Sequence, residues 1–128
     1  MLYSLEYSND LPEGTGGRTK LWFIRIRTKY RDSGDVGIVR HELEHVRQFW
    51  TRGLLIHPLR YRFSESYRLK CEVEAYKEQL KWFPAKDNIE HYRDMYAGFI
   101  SSKDSAIGYN LSITKDEVVE LLSCDPPI

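Results

Sequence analysis

The run His41-Glu42-Leu43-Glu44-His45, inside the segment GIVRHELEHVRQFWTR, constrains this chain more than any other feature. Residues four apart lie one turn apart on an α-helix, so both imidazoles project from one face and reach a single tetrahedral ion at about 2.0–2.1 Å. Glu42 projects to the side of that face. A random chain of this length contains H-E-x-x-H on the order of once in a few hundred cases, so the motif needs support from its surroundings. The helical wheel, at about 100° per residue, supplies it. Arg40, Glu44, Arg47 and Thr51 fall on one narrow solvent stripe, with Val39, Leu43, Val46 and Trp50 as an apolar stripe beside it. The remaining side carries Ile38 and Phe49 together with His41, Glu42, His45 and Gln48. A helix apolar on two sides is enclosed around most of its circumference, where two imidazoles, a carboxylate and an amide are costly unless satisfied. A metal ion satisfies them; a hydrogen-bonded cluster without metal is the alternative. Gln48 stands where it can either bond near the site or simply pack.

The flanking residues define the other elements. Asp35 is placed to cap a helix over residues 37–52, which ends before Gly53. A loop with Pro58 leads to a second helix over residues 64–82, stopped by Pro84. A third helix is expected over residues 87–100, and Thr114-Lys115-Asp116-Glu117 reads as a capping box opening a short last helix through Leu122. Upstream, a turn-rich stretch, residues 12–17, precedes KLWFIRIRTKYR, residues 20–31. There Ile24, Ile26, Thr28 and Tyr30 alternate with Arg25, Arg27, Lys29 and Arg31, the period of a strand. The fold class is therefore α+β: one helix-dominated domain over residues 1–128 with a small N-terminal β-sheet.

A catalytic zinc usually takes three protein ligands and leaves one position open. A histidine six residues after His45 would mark one large class of zinc peptidases, but that residue is Thr51. His57 and His91 lack diagnostic spacing. On the wheel of the second helix, Lys70, Glu74, Lys77, Glu78 and Lys81 share a broad charged face, while Leu69, Val73, Tyr76 and Leu80 form the apolar one. Glu72 falls beside the apolar set, nearly opposite Glu74. A carboxylate there needs a partner, so Glu72 is the expected third ligand, ahead of Glu74 or a histidine. Ala75 is the small residue that lets the two helices approach.

H-E-L-E-H followed by E-V-E-A-Y resembles the gluzincin pattern, H-E-x-x-H on one helix and a glutamate on the next. In several such families the second motif reads E-x-x-A-D or E-x-x-A-N with its first glutamate on zinc, which maps onto Glu72; Tyr76 stands where those families carry Asp or Asn. The short chain and R-H-E-L-E-H-V-R-Q look most like the minigluzincins, small metallopeptidases ascribed to bacteria and their phages. The resemblance covers residues 36–79 and implies a truncated zincin core.

The expected function is zinc-dependent hydrolysis of peptide bonds in a peptide or protein substrate, with His41, His45 and Glu72 holding Zn2+ and Glu42 activating the zinc-bound water as general base. Tyr76, Tyr61, His57 and Tyr92 are candidates to stabilise the oxyanion. The strand at residues 22–28 is a candidate to bind an extended peptide by strand addition. The alternative is a non-catalytic zinc protein, in which the metal staples a small domain that binds a partner, with His57 able to fill the fourth position.

Composition narrows the remaining classes. Nineteen Lys and Arg balance nineteen Asp and Glu, which argues against a nucleic-acid partner bound by bulk positive charge, even with Arg25, Arg27, Lys29 and Arg31 on one strand face. No apolar run approaches the length of a membrane span, so no membrane partner is expected, and the first residues lack the pattern of a signal peptide. Cys71 and Cys124 form no C-x-x-C pair and read as free thiols, which together with the N-terminus points to a cytoplasmic protein.

Overall fold

A computed structural model of the chain describes residues 1–82, 88–104 and 108–124. Three short strands come first, β1 (Ser4–Tyr7), β2 (Gly17–Lys20) and β3 (Phe23–Ile26). Six helices follow among the described residues: α1 (Thr28–Ser33), α2 (Val36–Arg52), α3 (Ile56–Phe63), α4 (Glu65–Lys81), α5 (Ile89–Ser101) and α6 (Lys115–Ser123). The architecture is α+β and helix-dominated, with a small N-terminal sheet. None of the helices among the described residues is long and apolar enough to cross a membrane.

The sheet order is β1-β3-β2, with β1 parallel and β2 antiparallel to β3. Alternation places Ile24 and Ile26 inward, both buried, while Phe23 and Arg25 face outward. The strand is shorter than its alternation suggests. After Ile26 neither neighbour continues, since β1 ends at Tyr7 and β2 begins at Gly17 opposite Ile26. Arg27 instead ties the turn down by donating to the carbonyls of Leu11, Pro12 and Thr15, and the Asn9 side chain takes the Thr28 N–H and hydroxyl. Thr28 and Tyr30 therefore lie in α1, which Gly34 closes at φ 71°, in the left-handed region glycine tolerates.

Asp35 caps its helix as expected, and Ser64, expected as the first helical residue, is instead the cap of α4. The Asp35 carboxylate accepts from the Ile38 N–H, and the Ser64 hydroxyl from the Tyr67 N–H. The Thr114–Glu117 capping box opens α6. The segment around Pro58, expected as a loop, is helical. Pro58 is the third residue of α3, where a missing N–H leaves no helical acceptor unpaired. Pro84 and Asp87, read as the stop of one helix and the start of the next, lie outside the described residues.

Two apolar clusters form beneath the helices. Ile24, Ile26, Ile38 and Val46 join the sheet to α2, with Leu43 and Trp50 packed against them. Val73, Tyr76, Leu80, Tyr96, Ala97, Ile100, Leu111, Val118 and Leu122 join α4 to α5 and α6. Fully burying one such aliphatic side chain contributes about 1.5–3 kcal/mol. The helices α2 and α4 pack on each other between the two clusters. Glycine and alanine allow this. Gly37 is buried at the start of α2, where a Cβ would sit 3.3 Å from the Gln79 carbonyl oxygen, and Ala75 is fully buried one turn from Glu72.

Candidate metal centre

The wheel of α2 translates into burial in part: Arg40 and Glu44, read on the solvent stripe, are half-buried, and Glu44 pairs with Arg47. His41, Glu42, Gln48, Ile38 and Phe49 are buried, whereas Arg47 and Thr51 are exposed. On α4, Glu72 is 1% exposed and points from the face that meets α2. The result is a three-residue group: one ligand atom each from His41, His45 and Glu72, all within 4.8 Å of one another. The Nε2 atom of His41 lies 3.6 Å from Glu72 Oε1, and that of His45 lies 3.2 Å from Glu72 Oε2. Both imidazoles thus aim the same nitrogen at the same carboxylate.

The bonding around the group bears on whether a metal fits. Gln48 donates from Nε2 to the Cys71 carbonyl at 3.0 Å, which turns its Oε1 toward His45 Nδ1 at 3.1 Å. An amide oxygen only accepts, so His45 carries a hydrogen on Nδ1. Its Nε2 is then the nitrogen left for an ion, the arrangement that ligating histidines adopt. Buried Glu72 Oε1 has no hydrogen-bond partner, and neither has His41 Nδ1. A buried carboxylate oxygen left unpaired beside two convergent imidazole nitrogens fits a cation better than a closed hydrogen-bond network.

The same proximity couples the charges of His45 and Glu72. Burial by itself lowers the basicity of His45, but the charge and hydrogen bond of Glu72 outweigh it and hold the imidazole up at about 9. Burial would raise Glu72, yet His45 and His41 together hold its carboxyl well below the usual carboxylate range. Without an ion, a proton on His45 neutralises the carboxylate.

Glu42 is held apart from this pair. Its Oε2 accepts from the Thr19 hydroxyl on β2 at 2.6 Å, and a Cβ on Gly17 would meet its Oε1 at 3.0 Å. The carboxylate is clamped between its own helix and the edge strand. No local sequence pattern marks this clamp, because β2 is a four-residue strand beginning inside the glycine-rich turn. The expected docking strand also needs correcting. β3 is paired on both sides, so strand addition is closed to it; β1 and β2 are the edges, and of the two β2 lines the cavity.

The other expected residues fall into three groups. Tyr61, from α3, donates to Glu72 Oε2 at 2.5 Å and so touches the centre directly. Tyr76 packs edge-on against the His41 ring at 4.3 Å, but its hydroxyl is bonded to that of Tyr109, at 2.9 Å, rather than to His41. His57 is bonded through Nδ1 to the Tyr67 hydroxyl at 2.7 Å, and burial lowers its basicity to about 4. Neither His57 nor the exposed His91 belongs to the ligand group. Glu74 is also absent from it. This residue is half-buried rather than solvated, and Arg52 at 2.5 Å and Arg47 at 3.4 Å neutralise it. Tyr109, which joins the wall through Tyr76, had no distinguishing sequence signal.

A cavity of about 1100 Å³ opens onto the group, with His41, Glu42, His45 and Glu72 in its lining. One wall is β2, another is α3 through His57 and Tyr61, and a third is α5 through Tyr92 and Tyr96. No protein-family model, curated protein or solved structure matches the chain.

Proposed function

We propose that this chain is a zinc-dependent hydrolase of peptide bonds, built on a truncated gluzincin-like core. The observation that carries the reading is the convergence of His41, His45 and Glu72 beside the clamped carboxylate of Glu42, on the wall of an open cavity. Two imidazoles and one carboxylate are a donor set typical of catalytic zinc, with a position left for substrate or water. A bound Zn2+ supplies Lewis acidity there, lowering the pKa of water toward ~7 and polarising a carbonyl.

The remaining chemistry falls to the chain's own groups. Glu42 accepts the proton of the attacking water and returns it to the leaving amine; its bond to Thr19 fixes the orientation of the carboxylate for that transfer. Both hydroxyls are engaged, Tyr61 with Glu72 Oε2 and Tyr76 with Tyr109, and Tyr61 is the leading donor to the developing oxyanion because its bond places it at the centre itself. The open edge of β2 offers unpaired backbone groups to an extended peptide.

Zinc content and hydrolysis of an unfolded protein substrate, measured on the native chain and on Glu42→Gln, test the reading. One zinc per chain in both, with hydrolysis confined to the native chain, is expected. Full activity in Glu42→Gln removes Glu42 as the base. Stoichiometric zinc with no hydrolysis by the native chain leaves a zinc-stapled binding protein instead.

A further inference from the structure

Residues 53–64, GLLIHPLRYRFS, join α2 to α4 and contain neither Asp nor Glu. Helix α3 within them has two unlike faces. His57 and Tyr61 turn inward and line the cavity. At 100° per residue Leu59, Phe63 and Ile56 form one outward stripe, with Arg62 on one flank and Arg60 on the other. All three apolar residues are exposed, as are Leu54 and Leu55 in the preceding turn; Leu55 reaches 79% and Phe63 74%. Among the described residues no carboxylate pairs with Arg60 or Arg62. Their guanidinium groups lie over the rings of Tyr67 and Phe63, at 4.2 and 5.4 Å.

We propose that α3 and the turn before it form a docking surface for an anionic lipid bilayer. A helix that lies in the plane of a membrane has an apolar stripe flanked by cations, with aliphatic side chains at the acyl boundary and arginines on lipid phosphates. This segment has that pattern, and its charge is all of one sign. A second copy of the chain fits less well. A two-fold contact would set Arg60 and Arg62 against their own counterparts, with no carboxylate in the segment itself to pair with them. The lack of a span-length apolar run bears on crossing a membrane, not on lying against one. Docking through α3 brings the cavity rim, at His57 and Tyr61, close to the lipid surface.

Co-sedimentation of the full chain with vesicles, with zinc present and again in EDTA, tests this independently of the zinc reading. Binding to phosphatidylcholine vesicles containing phosphatidylserine, and much weaker binding to phosphatidylcholine alone, is expected. Arg60→Gln with Arg62→Gln should weaken it by on the order of tenfold or more. Leu55→Gln with Phe63→Gln should weaken it by at least about tenfold. Far-UV circular dichroism checks that both pairs of substitutions leave the helices intact. Failure of the native chain to bind either vesicle, or binding indifferent to both pairs, overturns the proposal. A native dimer in analytical ultracentrifugation that Leu55→Gln with Phe63→Gln turns into a monomer overturns it too, in favour of a second copy.

Discussion

The hydroxyl of Thr19, on the edge strand, donates to Glu42 Oε2 at 2.6 Å and also lies 3.3 Å from the Glu42 carbonyl oxygen. The carboxylate expected to move a proton is thus oriented from outside its own helix. Thr19→Val should leave zinc content unchanged while lowering kcat/KM by ~10–100-fold, the scale for loss of positioning at a reacting group. Gly17→Ala, which brings a methyl within 3.0 Å of Glu42 Oε1, should act in the same direction. Steady-state kinetics beside metal analysis checks both; a fall in metal content would move Thr19 into the metal centre instead.

Gln48 bridges His45 Nδ1 and the Cys71 carbonyl. Gln48→Leu frees the imidazole to rotate, leaves the His45 Nδ1–H without its acceptor and removes a second donor from the Cys71 carbonyl, which keeps its bond within α4. Zinc affinity should drop about 10–100-fold, as it does when groups that orient a ligand are removed. Stability should fall by about 1–3 kcal/mol. Isothermal titration calorimetry and urea unfolding measure the two effects separately.

The pairing of His45 with Glu72 makes metal binding a proton exchange. With the imidazole held up at about 9, a metal-free chain at neutral pH has a proton on His45 that an ion must displace. Titrations in buffers of different ionisation enthalpy should show close to one proton released per zinc near neutrality, with affinity rising up to about pH 9. For the metal-free fold the sign is opposite. The folded value lies above the unfolded 6.5, so this contribution is fully present below pH 6.5 and lost as pH rises through about 9. Chemical denaturation in EDTA across that range checks it.

The two thiols should separate cleanly. Cys124 is exposed, whereas Cys71 is fully buried at the α2–α4 contact and burial pushes its thiol up to about 11. A thiol reagent should modify one cysteine per chain quickly and the second only on unfolding. Mass spectrometry after limited labelling identifies which.

The grouping of His41, His45 and Glu72 was readable in advance because the three stand on two helices with clear 3.6-residue periodicity. Enclosure of His41, Glu42 and His45, and the placing of Glu72 opposite Glu74, follow from 3.6-residue periodicity together with the cap at Asp35. What escaped depends on pairing between distant segments. β1 and β2 are four residues each, and neither has a pattern that identifies its partner. The alternation through Thr28 and Tyr30 continues past the point where neighbours exist to bond it. Pro58 signals a break only inside a helix, and α3 begins two residues before it. The Thr19–Glu42 bond spans 23 residues between a weak strand and a strong helix, so no local signal marks it.

The two apolar clusters give the centre a mechanical meaning. His41 and His45 ride on the helix that rests against the sheet, and Glu72 on the helix that rests against α5 and α6. An ion held by all three is a rivet through the joint between two half-molecules, each with its own interior. Chelation would slacken that joint without melting either half. Amide exchange would quicken along the mutual face of α2 and α4 while the sheet and the α5–α6 interior stayed slow.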